Sequence, residues 1–200
     1  FTLIKTILSS LKKNDFIIFT SKYQQNKYLE YKDKYNFQVS KESTDILYLP
    51  YRFHQNKTPI KKTKKYDFFI LIQYSLRKNP HLYQKFVEKL KKFKFCVVLS
   101  NQKNSINEYI KIYEKKNNVD LFYNTNDNKF LDLIKESKYC LFLSDDEGTG
   151  LHAIECIYNN CIPIVKNNNV FNELLGDKCY YLNNIYDIDR SIIEINNIVK

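Results

Sequence analysis

The sequence predicts an α/β fold, a parallel sheet with helices on both faces. Three observations predict it. From about residue 66 onward, short apolar runs alternate with amphipathic stretches. The runs have the length and the β-branched or aromatic content of buried strands. Two of the only three glycines, Gly148 and Gly150, fall where one such run ends and a helical stretch begins. Strands that alternate with helices build parallel sheets through right-handed crossovers.

The first fifty residues read as a separate unit. A helix-like start leads to a strand in DFIIFTS (15–21), a polar helical run to about Tyr35, and a strand in TDILYLP (44–50). This is the pattern of a closing βαβ of a preceding domain, incomplete here. Residues 51–65, with Pro59 and the run KKTKK, read as a solvated linker. The main domain is expected over 66–200. Its first strand is 67–73 (DFFILIQ). Its first helix is 80–93, where Leu82, Phe86, Val87, Leu90 and Phe93 recur at helical spacing and Pro80 occupies the first turn. Strands follow at 95–99, 119–123, 139–143 and 162–165, with a weaker one at 179–182. Helices are expected at 105–116, 128–137, 151–160 and 170–175. Asn160 stands where a helix C-cap is needed, and Asn tolerates left-handed backbone.

Composition narrows the function classes. The net charge of +10 raises the possibility of a nucleic-acid partner. The lysines are spread along the chain, however, and accompany abundant Asn, Ile and Tyr, as an AT-rich coding sequence would produce. No aromatic-and-basic recognition motif is present. No apolar segment approaches a membrane span, and the start lacks the form of a signal peptide. The chain contains no Met and is expected to be processed or a piece of something longer. Five cysteines, an odd number without zinc-ligand spacing, are expected to be reduced thiols of a cytoplasmic protein. His54, His81 and His152 are far apart in sequence, and His152 reads as a surface or packing residue.

The stretch 145–155, DDEGTGLHAIE, carries the chemistry. At a strand-to-helix turn the first helical N–H groups lack partners, and the helix dipole favours an anion, usually a phosphate. Glycine lets the backbone approach that anion closely. Glu147 and Glu155 bracket the turn. In such sheets ligands bind at the carboxyl ends of the strands, and this turn is at one of them.

The run SDDEGTGLHAIECIYNNCIPIV (144–165) resembles the donor-site signature of retaining glycosyltransferases of the GT-B architecture. Glu147 and Glu155 enclose seven residues, as in that family's Glu-x7-Glu motif. Arg77-Lys78-Asn79 resembles its phosphate-binding segment, and Asn172-Glu173 before LLGDKCYYL resembles a further conserved region of its pattern. The likeness covers roughly 66–185. It implies a Rossmann-like domain, the C-terminal half of a GT-B enzyme, that binds a nucleotide-diphosphate sugar. The amides of Gly148, Thr149, Gly150 and Leu151 would receive the diphosphate. Lys78 would neutralise it, with Arg77 as a second cation. Glu155 would hold the ribose, and Glu147, the catalytic candidate, would hold the donor sugar near the reacting carbon. The implied reaction transfers the sugar to a hydroxyl of a glycan, protein or lipid with retention. It needs no metal and no cofactor beyond the donor substrate. Residues 123–128 end a strand near the expected place of the base. The chain alone is expected to bind nucleotide but to turn over poorly.

This chain departs from the pattern at Thr149, where an aromatic or Pro is common, and at Asn160, which replaces a Gly. Pro163 falls one residue late, and Gln73-Tyr74-Ser75 stands where a Gly-Arg is usual. Three competing readings are a non-catalytic module of the same fold, a basic nucleic-acid-binding domain, and a metal site built from Asp145, Asp146 and Glu147.

Overall fold

The computed structural model describes residues 7–48, 63–73, 75–100, 106–123 and 125–200. The chain divides into two compact units, Phe1–Arg52 and Phe53–Lys200. Most of the stretch read as a linker lies outside the described residues.

In the first unit, strand β1 (Ile17–Phe19) pairs in parallel with β2 (Thr44–Ile46). Between them runs helix α1 (Lys22–Tyr35). Ser21 caps this helix by accepting from the Gln24 amide, and Asn36 ends it in the left-handed region at φ 52°. Tyr28, Phe37 and Val39 form the small core, and the Tyr28 hydroxyl donates to the Val39 carbonyl at 2.9 Å. β2 is shorter than the strand expected over 44–50, whose last two residues lie outside the described ones.

The second unit is a six-stranded, wholly parallel sheet. Its strands are β3 (Tyr66–Ile72), β4 (Phe95–Leu99), β5 (Val119–Tyr123), β6 (Ser137–Phe142), β7 (Ile162–Lys166) and β8 (Tyr180–Leu182). Their spatial order is β5-β4-β3-β6-β7-β8, with β3 paired to both β4 and β6. Among the described residues six helices connect or follow them: α2 (Pro80–Lys89), α3 (Ile106–Tyr113), α4 (Asp127–Lys135), α5 (Leu151–Tyr158), α6 (Asn169–Leu175) and α7 (Ile188–Ile198).

Side-chain alternation along the strands sorts these helices onto two faces. Phe68, Ile70 and Ile72 of β3, with Phe95, Val97 and Leu99 of β4, pack against Leu82, Phe86 and Val87 of α2, Tyr113 of α3 and Ile195 of α7. The alternate residues Phe69, Cys96, Val98 and Cys140 pack against Leu133 and Ile134 of α4, Ala153 and Cys156 of α5, and Phe171 and Leu175 of α6. The fold is therefore the expected Rossmann-like α/β sheet, covered on both sides.

Most element ends shift by a few residues, and two differences from the periodicity are larger. α2 stops at Lys89, because Leu90 leaves helical geometry at ψ 44°. Leu90 is nonetheless buried in the same core cluster, with Phe93 packed against it, so the apolar spacing outlasts the helix. The sequence pattern above stops at 182, whereas the structure adds α7, capped by the Asp187 side chain accepting from the Arg190 amide.

Candidate functional site

The strand order fixes where a ligand fits. The chain runs outward from β3 through β4 to β5, then returns to lay β6 on the other side of β3. At such a reversal the connections leaving two adjacent strands diverge to opposite faces and open a crevice at their carboxyl ends. Here the connection after β3 carries Arg77, Lys78 and Asn79, and that after β6 carries 143–150. Between them lies a cleft of about 290 Å³. Seven of the eight residues picked from the sequence line it: Arg77, Lys78, Glu147, Gly148, Thr149, Gly150 and Leu151. Glu155 is the exception. It lies one helical turn along α5, outside the cleft wall.

α5 begins at Leu151, after Gly150 in the left-handed region at φ 58°, and no side chain caps it. By contrast α1, α4, α6 and α7 are capped by Ser21, Asn126, Asn168 and Asp187. The Leu151 and His152 amides precede the first intrahelical donors and have no carbonyl one turn back to bond. They therefore present hydrogen to the cleft side of the helix start, where the dipole is positive. The carboxyl edge of the sheet thus has an anion-accepting geometry with acids close by.

The facing connection is built as a short 3-10 turn, Leu76–Lys78, ended by Asn79 at φ 50°. Pro80 then starts α2 at the position where its missing N–H costs nothing. The Lys78 ammonium bonds the Glu147 carboxylate, with 15% and 11% of the two side chains exposed. The two lips are joined further by the Arg77 guanidinium, which donates to the Asp146 carbonyl at 3.0 Å, and by the Asp145 amide, which donates to the Arg77 carbonyl at 2.8 Å. Arg77 itself is exposed.

His152 sets its ring edge-on to Phe130 at 5.8 Å. Its pKa lies below the ordinary value, chiefly through loss of solvent around the ring; Lys78 adds to this, and Glu155 and Glu147 oppose it. His152 also borders a second cavity of about 240 Å³ at the ends of β3, β4 and β5. That cavity includes Thr125 and Asp127 from the stretch expected near a base, together with Ser100 and Gln73.

Two of the three acids of the competing metal reading have partners of their own. The Asp145 carboxylate accepts from Lys166 and Tyr186, and Glu147 is held by Lys78. Among the described residues no group of three or more His, Cys, Asp or Glu side chains converges on a point. The five cysteines are free thiols, and no helix among the described residues is long and apolar enough to cross a membrane.

Several contacts of the site gave no sequence signal, although Asn79 belongs to the Arg77-Lys78-Asn79 segment read from the sequence. Asn79 is 3% exposed and donates to the Leu143 carbonyl at 2.9 Å. The Tyr83 hydroxyl accepts from the Leu143 amide at 3.0 Å. Lys166 and Tyr186 reach Asp145 from 21 and 41 residues away. Only their places at the carboxyl edge, Lys166 as the last residue of β7 and Tyr186 after β8, set them apart.

Comparison with known proteins gives the family and the fold. The profile of the glycosyl transferases group 1 family matches residues 52–196, and the chain belongs to that family. Solved structures share the fold. The pneumococcal O-GlcNAc transferase GtfA, in complex with UDP and GlcNAc, superposes with a TM-score of 0.65 at 14% identity, over 92% of this chain and 37% of its own. A trehalose-6-phosphate synthase studied for glycosyl transfer with retention gives 0.68 at 13% identity, over 96% and 54%. A glycosyltransferase from Rickettsia africae gives 0.70 at 16% identity, over 98% and 57%. The chain spans less than two thirds of each of these relatives. The parallel sheet is that of the C-terminal half of the GT-B architecture. A search of curated protein sequences gives no match.

Proposed function

We propose that this chain is the donor-binding part of a glycosyltransferase that moves a sugar from a nucleotide-diphosphate sugar to a hydroxyl acceptor, with retention and without a required metal. One observation carries the reading. The uncapped α5 N-terminus, the Lys78 ammonium and the Glu147 carboxylate share one cleft at the reversal of strand order. A diphosphate needs amide donors and a cation, and a sugar needs a carboxylate that accepts from its hydroxyls. In this assignment the diphosphate lies against Gly148, Thr149, Gly150 and Leu151 and draws Lys78 toward it. Arg77 adds charge at the mouth. Glu147, released from Lys78, holds the sugar next to the reacting carbon.

Glu155, outside the cleft wall, is assigned to the ribose. The second cavity, with Thr125 and Asp127, takes the base. The leaving group is a nucleoside diphosphate, so the chief catalytic task of this half is to stabilise the charge that develops on it. The UDP held by the pneumococcal relative and the retaining transfer studied in the synthase support the donor class and the stereochemistry. The free cysteines support a reducing, cytoplasmic setting. Residues beyond this chain supply the acceptor site, so the chain alone binds donor and turns over little.

The test is a thermal-shift panel of UDP-, GDP- and ADP-sugars on the wild type and on Glu155→Ala, with and without chelator. One base should raise the wild-type midpoint, the chelator should not alter that rise, and the variant should lose most of it. No shift with any donor would refute the assignment.

A further inference from the structure

The connection after β6 is fastened from outside at each of five consecutive residues. The Leu143 amide donates to Tyr83 Oη at 3.0 Å, and its carbonyl accepts from Asn79 at 2.9 Å. The Ser144 carbonyl accepts from Asn168 at 3.5 Å. The Asp145 amide donates to the Arg77 carbonyl, Asp146 accepts from the Arg77 guanidinium, and Glu147 accepts from Lys78. One further tie differs in kind. Asp145 Oδ1 accepts from Lys166 Nζ at 2.6 Å and from Tyr186 Oη at 2.5 Å. None of these three residues is part of the cleft wall. They come from three separate connections: the end of β7, the stretch after β8, and the loop itself.

We propose that Asp145, Lys166 and Tyr186 are a positioning unit that holds the 147–151 turn in its ligand-binding geometry from behind, without contacting the ligand. The inference rests on the donor-site reading above and deepens it.

Three features support it. The Lys166 side chain is 21% exposed, so its charge is directed at Asp145 more than at solvent. Its ammonium also lies over the Tyr186 ring at 5.4 Å, so the cation orients the phenol that shares its acceptor. Burial pushes the Asp145 carboxyl up, and Lys166, Tyr186 and Asn79 together bring it below the usual carboxylate range. Asp145 is therefore an ionised anchor at neutral pH. The turn it anchors contains two glycines within three residues, which left alone would sample many backbone states. Removing that freedom before a ligand arrives lowers the ordering cost of binding.

The test uses the full chain with UDP, GDP and ADP as probes. Calorimetry identifies the diphosphate that binds the wild type best. That probe is then measured on Lys166→Met, Asp145→Asn and Tyr186→Phe, with amide exchange followed in the absence of added nucleotide. The expected result is affinity weakened about tenfold in Lys166→Met and Asp145→Asn, and less in Tyr186→Phe. Exchange should rise at 145–151 but not in the strands, and Lys166→Arg should restore both readouts. Tyr186→Phe, a small change at an exposed residue, keeps the test valid if a charge variant does not fold. Unchanged affinity in the folded variants, or exchange at 145–151 that stays at the wild-type level, overturns this inference alone. A wild type that binds none of the three probes overturns the donor reading, and this inference with it.

Discussion

Lys78 and Glu147 bond to each other inside the cleft, both largely withdrawn from water. A charge in such a place is costly once its partner is gone, so truncating either residue removes more than the attraction it supplied. Lys78→Ala and Glu147→Ala should each cost on the order of 3 kcal/mol. The double variant should cost clearly less than the two together, read from urea unfolding curves. The pairing also bears on selectivity, because a ligand that engages only the cation leaves the acid without a partner. A molecule that joins an anion to a hydroxyl-rich group compensates both. Gly150 gives a second expectation at this scale. A β-carbon there would meet Leu174 and Phe171 at an ordinary 3.5 Å, but the backbone has φ +58°. Gly150→Ala should therefore lose about 1–2 kcal/mol through the backbone alone, measured by the same unfolding curves. Gly150 and Asn160 were legible in the sequence, because left-handed geometry selects few residue types; Asn160 indeed has φ 55°. The Asp145 anchor was not legible, since any Lys and any Tyr can make such bonds and only the folded sheet brings these two together.

Helix α2 shows how an element carries the site. Its apolar residues Leu82, Phe86 and Val87 bind it to the sheet, and the same packing holds Tyr83 under the β6 connection. Tyr83 is 2% exposed, and its hydroxyl satisfies the Leu143 amide. Tyr83→Phe keeps the ring but strands a buried donor, at an expected cost of about 1–3 kcal/mol. Thermal unfolding should show the loss, and nucleotide affinity should fall with it, because Leu143 leads directly into the turn. Among the elements, the strands were the easiest to read. β3 and β4, and β6 from Cys140 onward, are buried on both faces, so their sequences are almost continuous apolar runs there. α7 escaped notice although Ile188, Ile192 and Ile195 have helical spacing and Asp187 supplies the cap. Its pattern follows a short, weak strand, so nothing before it announced a crossover. The order in which strands lie side by side is likewise absent from periodicity, since each strand would look the same in any slot.

Over the whole molecule, acid should unfold the chain through carboxylates held by lysines. Burial raises Asp120, but the Tyr66 hydroxyl and the Lys65 and Lys94 ammonium groups bring its pKa below the usual value, and Asp145 behaves alike. A carboxyl lowered on folding contributes stability that is complete above its unfolded pKa of about 3.9 and disappears as pH falls through the folded value. Protonation also leaves the 32 Lys and Arg residues without their counter-charges. The thermal midpoint should thus change little between about pH 5 and 7 and fall steeply below about pH 4. Asp120→Asn should flatten that fall, with the midpoint followed by circular dichroism across a pH series.

The β3–β6 junction has one more consequence. The two lips of the cleft belong to stretches some seventy residues apart, and they meet only where those two strands zip together in the middle of the sheet. Recognition is therefore a property of a single distant pairing, one that chain entropy makes late to form. A nascent chain that has emerged only through β5 can own three strands of this sheet and still lack the cleft. In the finished protein, a nucleotide held across that seam, as the donor reading proposes, would act as a clasp on the centre of the sheet, and its grip would report whether the two halves have closed.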